Sequence, residues 1–350
     1  MGSILGFKLR DLSLHLSILF LLILSVVLLN SIAHTLFPSY FIYIVIAVIA
    51  FWFFSQIGFE IVSLFSKHLY VISILLLLLT LIIGSVTRGT IRFIPLGPLS
   101  FQPAELIRPF LLVFFANYLT NAQISVIKML KAIALLILPV LLILVQPSLG
   151  VSVLTVVGFF GVLLASNFNK KYILTGLAVI MLLLPVFWQI MAPYQKQRIL
   201  TFMNPGSDTL GTGYNSLQSR IAAGSGKLFG RGLGRGVQTQ LLFLPEKQTD
   251  FIFAATGEEL GFFGAGLMLL ATFLILLNLT RYMEYSVNPA ARAYISGFFL
   301  TYLLQVFVHA GMNLGMLPVT GIPFPLVSAG GSSLLATMIG LGIALGAKKG

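Results

Sequence analysis

The stretch Phe243–Gly261, FLPEKQTDFIFAATGEELG, joins a polar loop to an apolar segment that still carries acidic residues. Asp250 stands where the polar part ends, and Glu258 and Glu259 follow about eight residues later. If the segment is helical, these two glutamates lie about 12 Å deeper than Asp250. Ionisable side chains at such a depth in an apolar chain are candidate functional residues.

The whole chain is poor in charge. Of its 350 residues, 58% are hydrophobic and 9% are charged, whereas about a quarter of the residues in a soluble domain are charged. Apolar runs long enough to cross a hydrocarbon core of about 30 Å recur along the chain. The composition therefore predicts an integral membrane protein. The absence of cysteine excludes disulfides, thiolate metal sites and a cysteine nucleophile.

Windows of about 17–25 apolar residues predict an all-α polytopic membrane protein with ten transmembrane helices in a single domain, residues 1–350. The approximate bounds are Leu12–Ala33, Tyr40–Ile57, His68–Val86, Gln102–Leu119, Lys128–Val145, Leu149–Ser166, Tyr172–Met191, Phe251–Leu279, Ala293–Gly315 and Leu326–Leu345. A long polar loop of about residues 192–249 separates the seventh span from the eighth. An even number of spans places both termini on one side of the membrane.

The distribution of basic residues predicts which side that is. With the N-terminus inside, eleven basic residues fall in short cytoplasmic segments and three, Arg88, Arg92 and Arg108, at short outer segments. Positive charge concentrates on the cytoplasmic side of membrane proteins, so both termini are predicted to be cytoplasmic and the long loop extracytoplasmic. Most of the net charge of +12 follows from this rule and does not indicate binding to nucleic acid.

The long loop contains a basic, glycine-rich stretch, AAGSGKLFGRGLGRGVQTQ, at residues 222–240. Glycines let backbone N–H groups approach an anion closely, and Lys227, Arg231 and Arg235 are candidate ligands for phosphate oxygens. The stretch is not a Walker A loop, because no Ser or Thr follows its Gly-Lys pair. The alternative interpretation is a flexible basic loop that is attracted to anionic lipid headgroups.

A second polar stretch, TRGTIRFIPLGPLSFQPAELIR at residues 87–108, runs from an outer loop into the fourth span. Its candidate functional residues are Arg88, Arg92, Gln102, Glu105 and Arg108. Arg88 and Arg92 break the positive-inside pattern beside a membrane surface, which favours an anionic ligand. The alternative for Glu105 and Arg108 is a salt bridge on one helix face, because they are three residues apart. Pro103 suits the first turn of the span.

The acidic stretch also has an ordinary interpretation. Asp250 is typical of an acid that complements the dipole at the start of a helix, with Thr249 as the N-cap residue. Glu258 and Glu259 are harder to explain in this way, because side chains of adjacent helical residues point about 100° apart. At least one of them is therefore predicted to face a polar cavity.

The last polar stretch, HAGMNLGMLPVTGIPFPLVSAGGSS at residues 309–333, is rich in glycine and proline between two spans. Non-helical backbone at membrane depth is tolerated only where it is buried in protein or lines a cavity. The stretch is therefore predicted to be a re-entrant or cavity-lining loop. Its His309 is typical of a buried hydrogen-bonding residue, and no second histidine follows at metal-ligand spacing.

These stretches resemble the SEDS family (shape, elongation, division and sporulation), the RodA/FtsW-type membrane proteins of bacteria. The segments FLPEKQTDFIFAATGEELG, GPLSFQPAEL, QSRIAAGSGKLFGRG and GMLPVTGIPFPLVSAGGSS occur in the family's order, and the resemblance covers nearly the whole chain. The FLPE and GIPFPLVS forms are closer to the RodA branch. Three positions depart from the family pattern: Ser148 replaces an acid, Ala329 replaces a tyrosine, and Arg108 replaces a lysine.

The resemblance implies a glycosyltransferase that polymerises lipid II into glycan strands for cell-wall elongation, at the outer face of the bacterial cytoplasmic membrane. The family's essential aspartate falls on Asp250, the expected general base. The candidate substrate-binding residues are Arg88, Arg92, Gln102, Glu105, Arg108, Lys227, Arg231, Arg235, Glu258 and Ser332. A divalent cation, Mg²⁺ or Mn²⁺, is expected to be held mainly by substrate phosphates, and a class B penicillin-binding protein is the expected transpeptidase partner.

Two other classes of function fit the same sequence. Ten spans, broken segments and intramembrane acids suit a flippase or transporter for a lipid-linked precursor equally well. A non-enzymatic scaffold of a cell-wall synthesis complex is the third interpretation, and the missing acid at Ser148 favours it.

Overall fold

The computed structural model of the chain is a helical bundle, and it describes residues 2–87, 90–97, 99–121, 125–166, 188–189, 191–204, 206, 208 and 211–349. The helices in these ranges, in chain order, are α1 Gly2–Ile32, α2 Phe37–Gln56, α3 Phe59–Leu64, α4 Ser66–Ile83, α5 Pro103–Leu106, α6 Arg108–Thr120, α7 Val126–Val145, α8 Leu149–Ala165, α9 Pro193–Met203, α10 Thr212–Ser225, α11 Val237–Gln240, α12 Ile252–Tyr285, α13 Pro289–Asn313 and α14 Gly331–Gly346.

Most of the predicted spans correspond to these helices. Within the described ranges, α1, α2, α4, α7, α12 and α13 are long and apolar enough to cross a membrane, and α8 and α14 are apolar but shorter. The predicted fourth span is divided into α5 and α6, and Pro103 begins α5 as expected. The predicted seventh span, Tyr172–Met191, lies almost entirely outside the described residues. The helical membrane architecture is therefore confirmed, and the number of ten spans stays a prediction.

The two ends of the chain meet at one end of the bundle. Lys348, in the short 3₁₀ turn that follows α14, donates to the Asp11 carboxylate of α1 at 2.6 Å. The hydroxyl group of Tyr282, near the end of α12, donates to the same oxygen at 3.1 Å. The side of the membrane on which this end of the bundle lies stays a prediction.

A small antiparallel sheet, which an all-helical prediction missed, precedes α5. Its strands are β1 Ser85–Thr87, β2 Thr90–Leu96 and β3 Leu99–Phe101, in the order β1-β2-β3. Thr90, Ile91, Phe93 and Ile94 of β2 are β-branched or aromatic residues, which favour a strand. Tyr43 of α2 fixes the sheet to the bundle, because its hydroxyl group donates to the carbonyl of Ser100 at 2.7 Å. The sheet thereby holds the entry to α5.

Close packing of α8 against α13 depends on small residues. A β-carbon at Gly161 would lie 2.7 Å from the backbone oxygen of Ser296 and 2.8 Å from the α-carbon of Gly297. The Ser296 hydroxyl group donates back to the Gly161 carbonyl at 2.8 Å. Small residues at helix interfaces in membranes let two backbones approach closely, and this contact is of that kind.

The helix α12 is interrupted at Gly261, where φ is 70° and ψ is −166°. In an unbroken helix the carbonyls of Glu258 and Glu259 would accept hydrogen bonds from residues four positions later. Here they accept from the long loop instead: Arg231 N donates to Glu258 O at 2.9 Å, and Gly232 N donates to Glu259 O at 3.0 Å.

The backbone N–H groups that follow the break are satisfied by the same loop. Phe262 N donates to Lys227 O at 2.9 Å, and Phe263 N donates to Leu228 O at 3.1 Å. Residues 227–232 thus substitute for one turn of helical hydrogen bonding in α12. The glycine-rich loop is held in place by its backbone and is not a free polar tether.

We predict that Gly161→Ala destabilises the bundle, because the atoms that the new methyl group meets belong to the backbone of α13 and cannot rotate away. Overpacking of this kind typically costs about 1–3 kcal/mol. The matched control is Gly266→Ala in α12, where a β-carbon meets nothing within 4 Å. Thermal unfolding of the detergent-solubilised protein measures both variants. Equal melting temperatures for the two would contradict the proposed close contact.

Candidate active site

Asp250 lies in a turn that precedes α12. The N–H groups of Thr249, Asp250 and Phe251 all donate to the carbonyl of Glu246, at 3.1, 3.0 and 3.2 Å. The helix begins at Ile252, with Phe251 in the N-cap position and no side-chain cap. The Thr249 hydroxyl group donates to the Glu246 carboxylate at 3.1 Å. The interpretation of Thr249 as the N-cap is therefore wrong.

Asn313, the last residue of α13, holds this turn from one side. Its amide nitrogen donates to the Asp250 carbonyl at 2.9 Å, and its amide oxygen accepts from Ala254 N at 2.9 Å. The same nitrogen also donates to the His309 carbonyl at 2.8 Å. Because Asn313 is fully buried, these bonds do not compete with water, and they fix the backbone of Asp250 relative to α13.

The glycine- and proline-rich loop between α13 and α14 holds the turn from the other side. The Ser328 hydroxyl group donates to the Thr249 carbonyl at 2.7 Å, and Ala329 N donates to Gln248 O at 2.9 Å. The loop itself is anchored in the bundle, because Ser25 of α1 donates to the Val327 carbonyl at 2.7 Å. The segment is non-helical and its residues 324–328 are buried, and its description as a re-entrant or cavity-lining loop stays a prediction.

Glu105 belongs to the same region as Asp250. It lies in α5, is buried, and the charged groups whose fields reach its carboxyl group are Arg108, Arg92 and Asp250. Its predicted ion pair with Arg108 is not formed: Nε of Arg108 faces the Glu105 backbone carbonyl at 3.5 Å. Ile107, between the end of α5 and the start of α6, keeps a helical backbone conformation.

Gln102 and Ser332 are brought together by direct contact. Gln102 N donates to the Ser332 hydroxyl oxygen at 2.7 Å, and the Gln102 amide nitrogen donates to Ser148 Oγ at 3.1 Å. All three residues are buried. Ser148, which stands where the family has an acid, therefore takes part in a hydrogen-bonded chain that links α8, α5 and α14.

Arg108 is buried in the bundle next to α13. Its Nη1 atom donates to the Gln305 amide oxygen at 3.4 Å, and Gln305 in turn donates to Ser333 Oγ at 3.2 Å. Beneath it lies a small cavity of about 10 Å³, roughly the space that one water molecule occupies. The cavity is lined by Arg108, Pro109, Leu112, Phe298, Thr301, Tyr302, Gln305, Ala336 and Thr337.

Glu258 is fully buried and binds backbone donors of the long loop. Its two carboxylate oxygens accept separately, Oε1 from Gln238 N at 2.8 Å and Oε2 from Thr239 N at 2.9 Å. Both donors belong to the first turn of α11. The carboxylate therefore satisfies N–H groups that the short helix leaves unpaired.

Glu259, also fully buried, joins the loop to α1. Its Oε2 atom accepts from the Ser31 hydroxyl group at 2.6 Å, and its Oε1 atom accepts from the Gln240 amide at 2.9 Å and Gly234 N at 3.3 Å. Ser31 lies at the Ile32 end of α1. The carboxylate thus ties three segments together at one point.

These contacts change the interpretation of both the loop and the acids. The backbone N–H groups of Gly234, Gln238 and Thr239 bind Glu259 or Glu258, so these three donors are not available to an external phosphate. The side chains of Lys227, Arg231 and Arg235 are exposed, and their binding of a substrate stays a prediction.

The expected depth order of the acids is also wrong. Glu259 contacts Ser31 near one end of α1, whereas the turn of Asp250 is linked through residues 327–328 to Ser25. Ser25 is six residues nearer the middle of α1, about 9 Å along the helix. Along the axis of α1, the contacts of the Asp250 turn therefore lie nearer the middle of the helix than the contact of Glu259, although both glutamates are fully buried and Asp250 is half-buried.

Lys247 is a buried cation that sequence reasoning did not assign to the site. Its Nζ atom donates to the Thr239 carbonyl, at the end of α11. Burial lowers the pKa of this ammonium group, and the carboxylates of Glu259 and Glu258 act in the opposite direction. A lysine three residues before the candidate base could have been noted from the sequence, but its partners lie elsewhere in the loop.

The remaining predicted site residues are distributed as follows. Arg88 lies outside the described residues. Arg92, on β2, lies over the ring of Phe93, 5.6 Å from its centroid. His309 is fully buried and its Nδ1 atom contacts the Ile322 carbonyl at 2.8 Å, so its interpretation as a buried hydrogen-bonding residue is confirmed. Among the described residues, no group of three His, Asp or Glu side chains could hold a metal ion.

We predict that Glu258→Gln loosens the glycine-rich loop. Both carboxylate oxygens accept backbone N–H groups, and a glutamine must present an N–H donor at one of these positions. Leaving a buried donor unsatisfied typically costs about 1–3 kcal/mol. We therefore expect trypsin to cleave after Lys227, Arg231 or Arg235 about tenfold faster than in the wild-type protein. Glu284→Gln, an exposed acid near the end of α12, is the control, and equal cleavage rates in the two variants would contradict the anchoring role.

The chain was compared with known families and proteins. The model of the cell cycle protein family FTSW_RODA_SPOVE matches residues 5–349. Peptidoglycan glycosyltransferase MrdB of Escherichia coli (strain K12) is 38% identical over 291 residues, which cover 80% of this chain and 76% of that protein. Probable peptidoglycan glycosyltransferase FtsW of Aeromonas salmonicida (strain A449) is 35% identical over 308 residues, with coverages of 85% and 77%.

Solved structures share the fold. A chain of a peptidoglycan synthase complex, described as coordinating polymerization and crosslinking, has a TM-score of 0.82 and 30% identity, and 96% of each chain is covered. The rod shape determining protein RodA of Thermus thermophilus has a TM-score of 0.72 and 27% identity, with coverages of 96% and 95%. Because the family model spans nearly the whole chain, and the helical fold and the polar stretches agree with it, this chain belongs to the FTSW_RODA_SPOVE family of cell cycle proteins.

Proposed function

We propose that this chain is a peptidoglycan glycosyltransferase that polymerises lipid II, with Asp250 as the general base. The proposal is supported by the names of its relatives, MrdB and FtsW, and by one structural observation. The backbone of Asp250 is held by Asn313 on one side and its neighbours are held by the loop of Ser328 on the other. A base that is fixed in this way needs little reorganisation when substrate arrives.

The reaction follows from the chemistry of a single positioned carboxylate. The 4-hydroxyl group of an acceptor GlcNAc attacks C1 of a MurNAc carried on undecaprenyl pyrophosphate. The new C1–O bond forms while the bond from C1 to the pyrophosphate oxygen breaks, and Asp250 takes the hydroxyl proton and later releases it to water. Attack opposite the leaving group inverts the anomeric carbon, so no covalent glycosyl-enzyme is required.

The leaving group is a diphosphate, and it requires positive charge more than a proton donor. Arg108 and Arg92 are candidate cations, because both act electrostatically on the Glu105 carboxyl group, as Asp250 does. We assign Gln102, Glu105 and Ser332 to the same binding region, because the contacts from Gln102 to Ser332 and Ser148 join α5, α8 and α14 there. Any divalent cation is proposed to be held mainly by the substrate phosphates, and no step here depends on it.

The setting of the reaction is also part of the proposal. Lipid II is assembled on a polyprenyl carrier, so its polymerase lies in the bacterial cytoplasmic membrane. The distribution of basic residues supports an active site at the extracytoplasmic face. A class B penicillin-binding protein, which crosslinks the new strands, is the proposed partner. The likeness to a chain of a peptidoglycan synthase complex supports a partner of this kind.

We predict that Asp250→Asn abolishes polymerisation by the purified protein. A general base typically contributes about 10²- to 10⁴-fold to the rate, so glycan strands should fall by at least about 100-fold. The assay supplies lipid II in detergent, without a bilayer, and separates the products by size. Glu284→Gln is the control, because this acid is exposed near the opposite end of α12 and its loss should leave the rate unchanged.

The same assay separates the proposal from its rivals. A flippase moves its substrate across a bilayer, and therefore makes no glycan strands in detergent. A scaffold has no activity of its own, so a strain that carries Asp250→Asn as its sole copy would grow as rods like the wild type. Undiminished polymerisation by Asp250→Asn, with no other synthase present, would exclude Asp250 as the base.

A further inference from the structure

Arg198 and Asp250 border the same small space beside Gly321. Gly321 has a φ of +72°, and it lies in the loop between α13 and α14. A β-carbon on this residue would be 3.7 Å from Asp250 Oδ2 and 4.0 Å from Arg198 Nη1. The absent side chain therefore leaves a notch with a carboxylate at one edge and a guanidinium group at the other.

Arg198 is held at this notch by the fold. It lies in α9, in the long loop far from Asp250 in sequence, and its side chain is half-buried. The Nη1 atom donates to the Val319 carbonyl at 3.1 Å, which fixes the guanidinium group two residues before Gly321. The structure thus uses the backbone of residues 319–321 to place a cation next to the candidate base.

The guanidinium group keeps most of its binding capacity. An arginine side chain has five N–H donors, and the Val319 bond uses one of them. Within the described part of the chain, Arg198 forms no salt bridge, although the Asp250 carboxylate lies across the notch. The half-buried cation is therefore oriented but not neutralised by an acid of the protein.

The two edges of the notch specify the chemistry of a ligand. A carboxylate accepts a proton from a hydroxyl group, and an arginine with free N–H groups binds phosphate oxygens, often in pairs. Ligands that satisfy both edges bring a sugar hydroxyl and a phosphate oxygen within a few ångströms of each other. The acceptor hydroxyl and the diphosphate of a lipid-linked donor have this arrangement at the point of glycosyl transfer.

The cations of the glycine-rich loop are placed differently. Gly226 and Gly230 of that loop pack against residues 257–260, whereas Asp250 precedes α12 by two residues. Residues 257–260 follow Asp250 by seven to ten residues, which correspond to about 10–15 Å along a helix. Arg198, which no sequence motif indicated, is thus a basic residue that the tertiary structure brings to the edge of Asp250 itself.

We propose that Arg198 is a phosphate-binding residue of the active site, holding a diphosphate oxygen of the lipid-linked substrate in the notch beside Gly321. The inference rests on the proposed function for the identity of the ligand. Its geometry requires only that an anion enters next to Asp250. Arg198 stabilises the negative charge that develops on the leaving diphosphate while Asp250 receives the proton.

The test measures the binding of undecaprenyl pyrophosphate, separately from activity. The ligand-induced rise in melting temperature is titrated for the wild type, Arg198→Gln and Lys196→Gln in detergent. Lys196 lies on the same helix, and it donates to the Gln189 carbonyl at 3.1 Å, so it controls for loss of one charge. A hydrogen bond between charged groups is worth about 10- to 100-fold in affinity, and we expect Arg198→Gln to weaken binding by that factor and Lys196→Gln to leave it unchanged.

Further measurements identify the source of the phosphate, and they separate the role of Arg198 from the proposed function of the chain. Inorganic pyrophosphate should bind more weakly than the lipid diphosphate but lose affinity in the same variant. In the polymerisation assay Arg198→Gln should lower kcat/KM at least about tenfold, with partial recovery in Arg198→Lys, which keeps the charge. Unchanged binding and unchanged kcat/KM in Arg198→Gln, while Asp250→Asn is inactive, would overturn the role of Arg198 and leave the proposed function intact.

A second variant tests the same proposal if the first does not fold. Should Arg198→Gln fail to fold, Gly321→Ala keeps both charged groups and places a methyl group in the notch, with the backbone strain that any side chain meets at a φ of +72°. This substitution should weaken binding of undecaprenyl pyrophosphate by a similar factor, because the methyl group occupies the position of the ligand. Tight binding that persists in a folded Gly321→Ala protein would show that the notch is not the diphosphate site.

Discussion

Every backbone N–H and C=O group at the break in α12 needs a partner, because unsatisfied polar groups are costly in an apolar bundle. Gly261 ends one helical segment, and the hydrogen bonds that the helix loses there are replaced by residues 227–232 of the long loop. The carboxylates of Glu258 and Glu259 add bonds to the same loop and to Ser31 of α1. The path of the polar loop is therefore determined by a defect in an apolar helix.

The acids of the stretch Phe243–Gly261 therefore have two different structural roles. The glutamates near the break organise the loop, whereas Asp250, ahead of the helix, lies closer to the middle of α1. Its backbone is held by Asn313, and its neighbours by Ser328 and Ala329. Acids within ten residues of each other thus act in different ways, and only Asp250 is positioned against Glu105, Gly321 and Arg198. A rigid support of this kind suits a base that acts on a large, flexible lipid-linked substrate.

The departures from the family pattern fit into the same network. Ser148 accepts a hydrogen bond from Gln102, which is bonded to Ser332, so the contact between α8 and α5 persists without an acid. Arg108 binds Gln305 and is not paired with Glu105. Gln102, Ser148 and Ser332 are therefore connected by neutral hydrogen bonds, whereas Arg108 is a charged donor to a neutral amide.

The sequence by itself determined the membrane class, the position of most helices, the loop between α13 and α14 and the candidacy of Asp250. These properties follow from the length of the apolar runs, the distribution of charge and local motifs, and each of these features can be recognised within a short window of sequence. The sheet before α5, the partners of Glu258 and Glu259, the missing Glu105–Arg108 pair and the place of Arg198 were decided only by tertiary structure. They depend on contacts between segments far apart in the chain. The fold decides which backbone donors and carbonyls lie within reach of each side chain. A glutamate therefore caps α11 and does not face a cavity, and a loop arginine lies beside Gly321 and not in water.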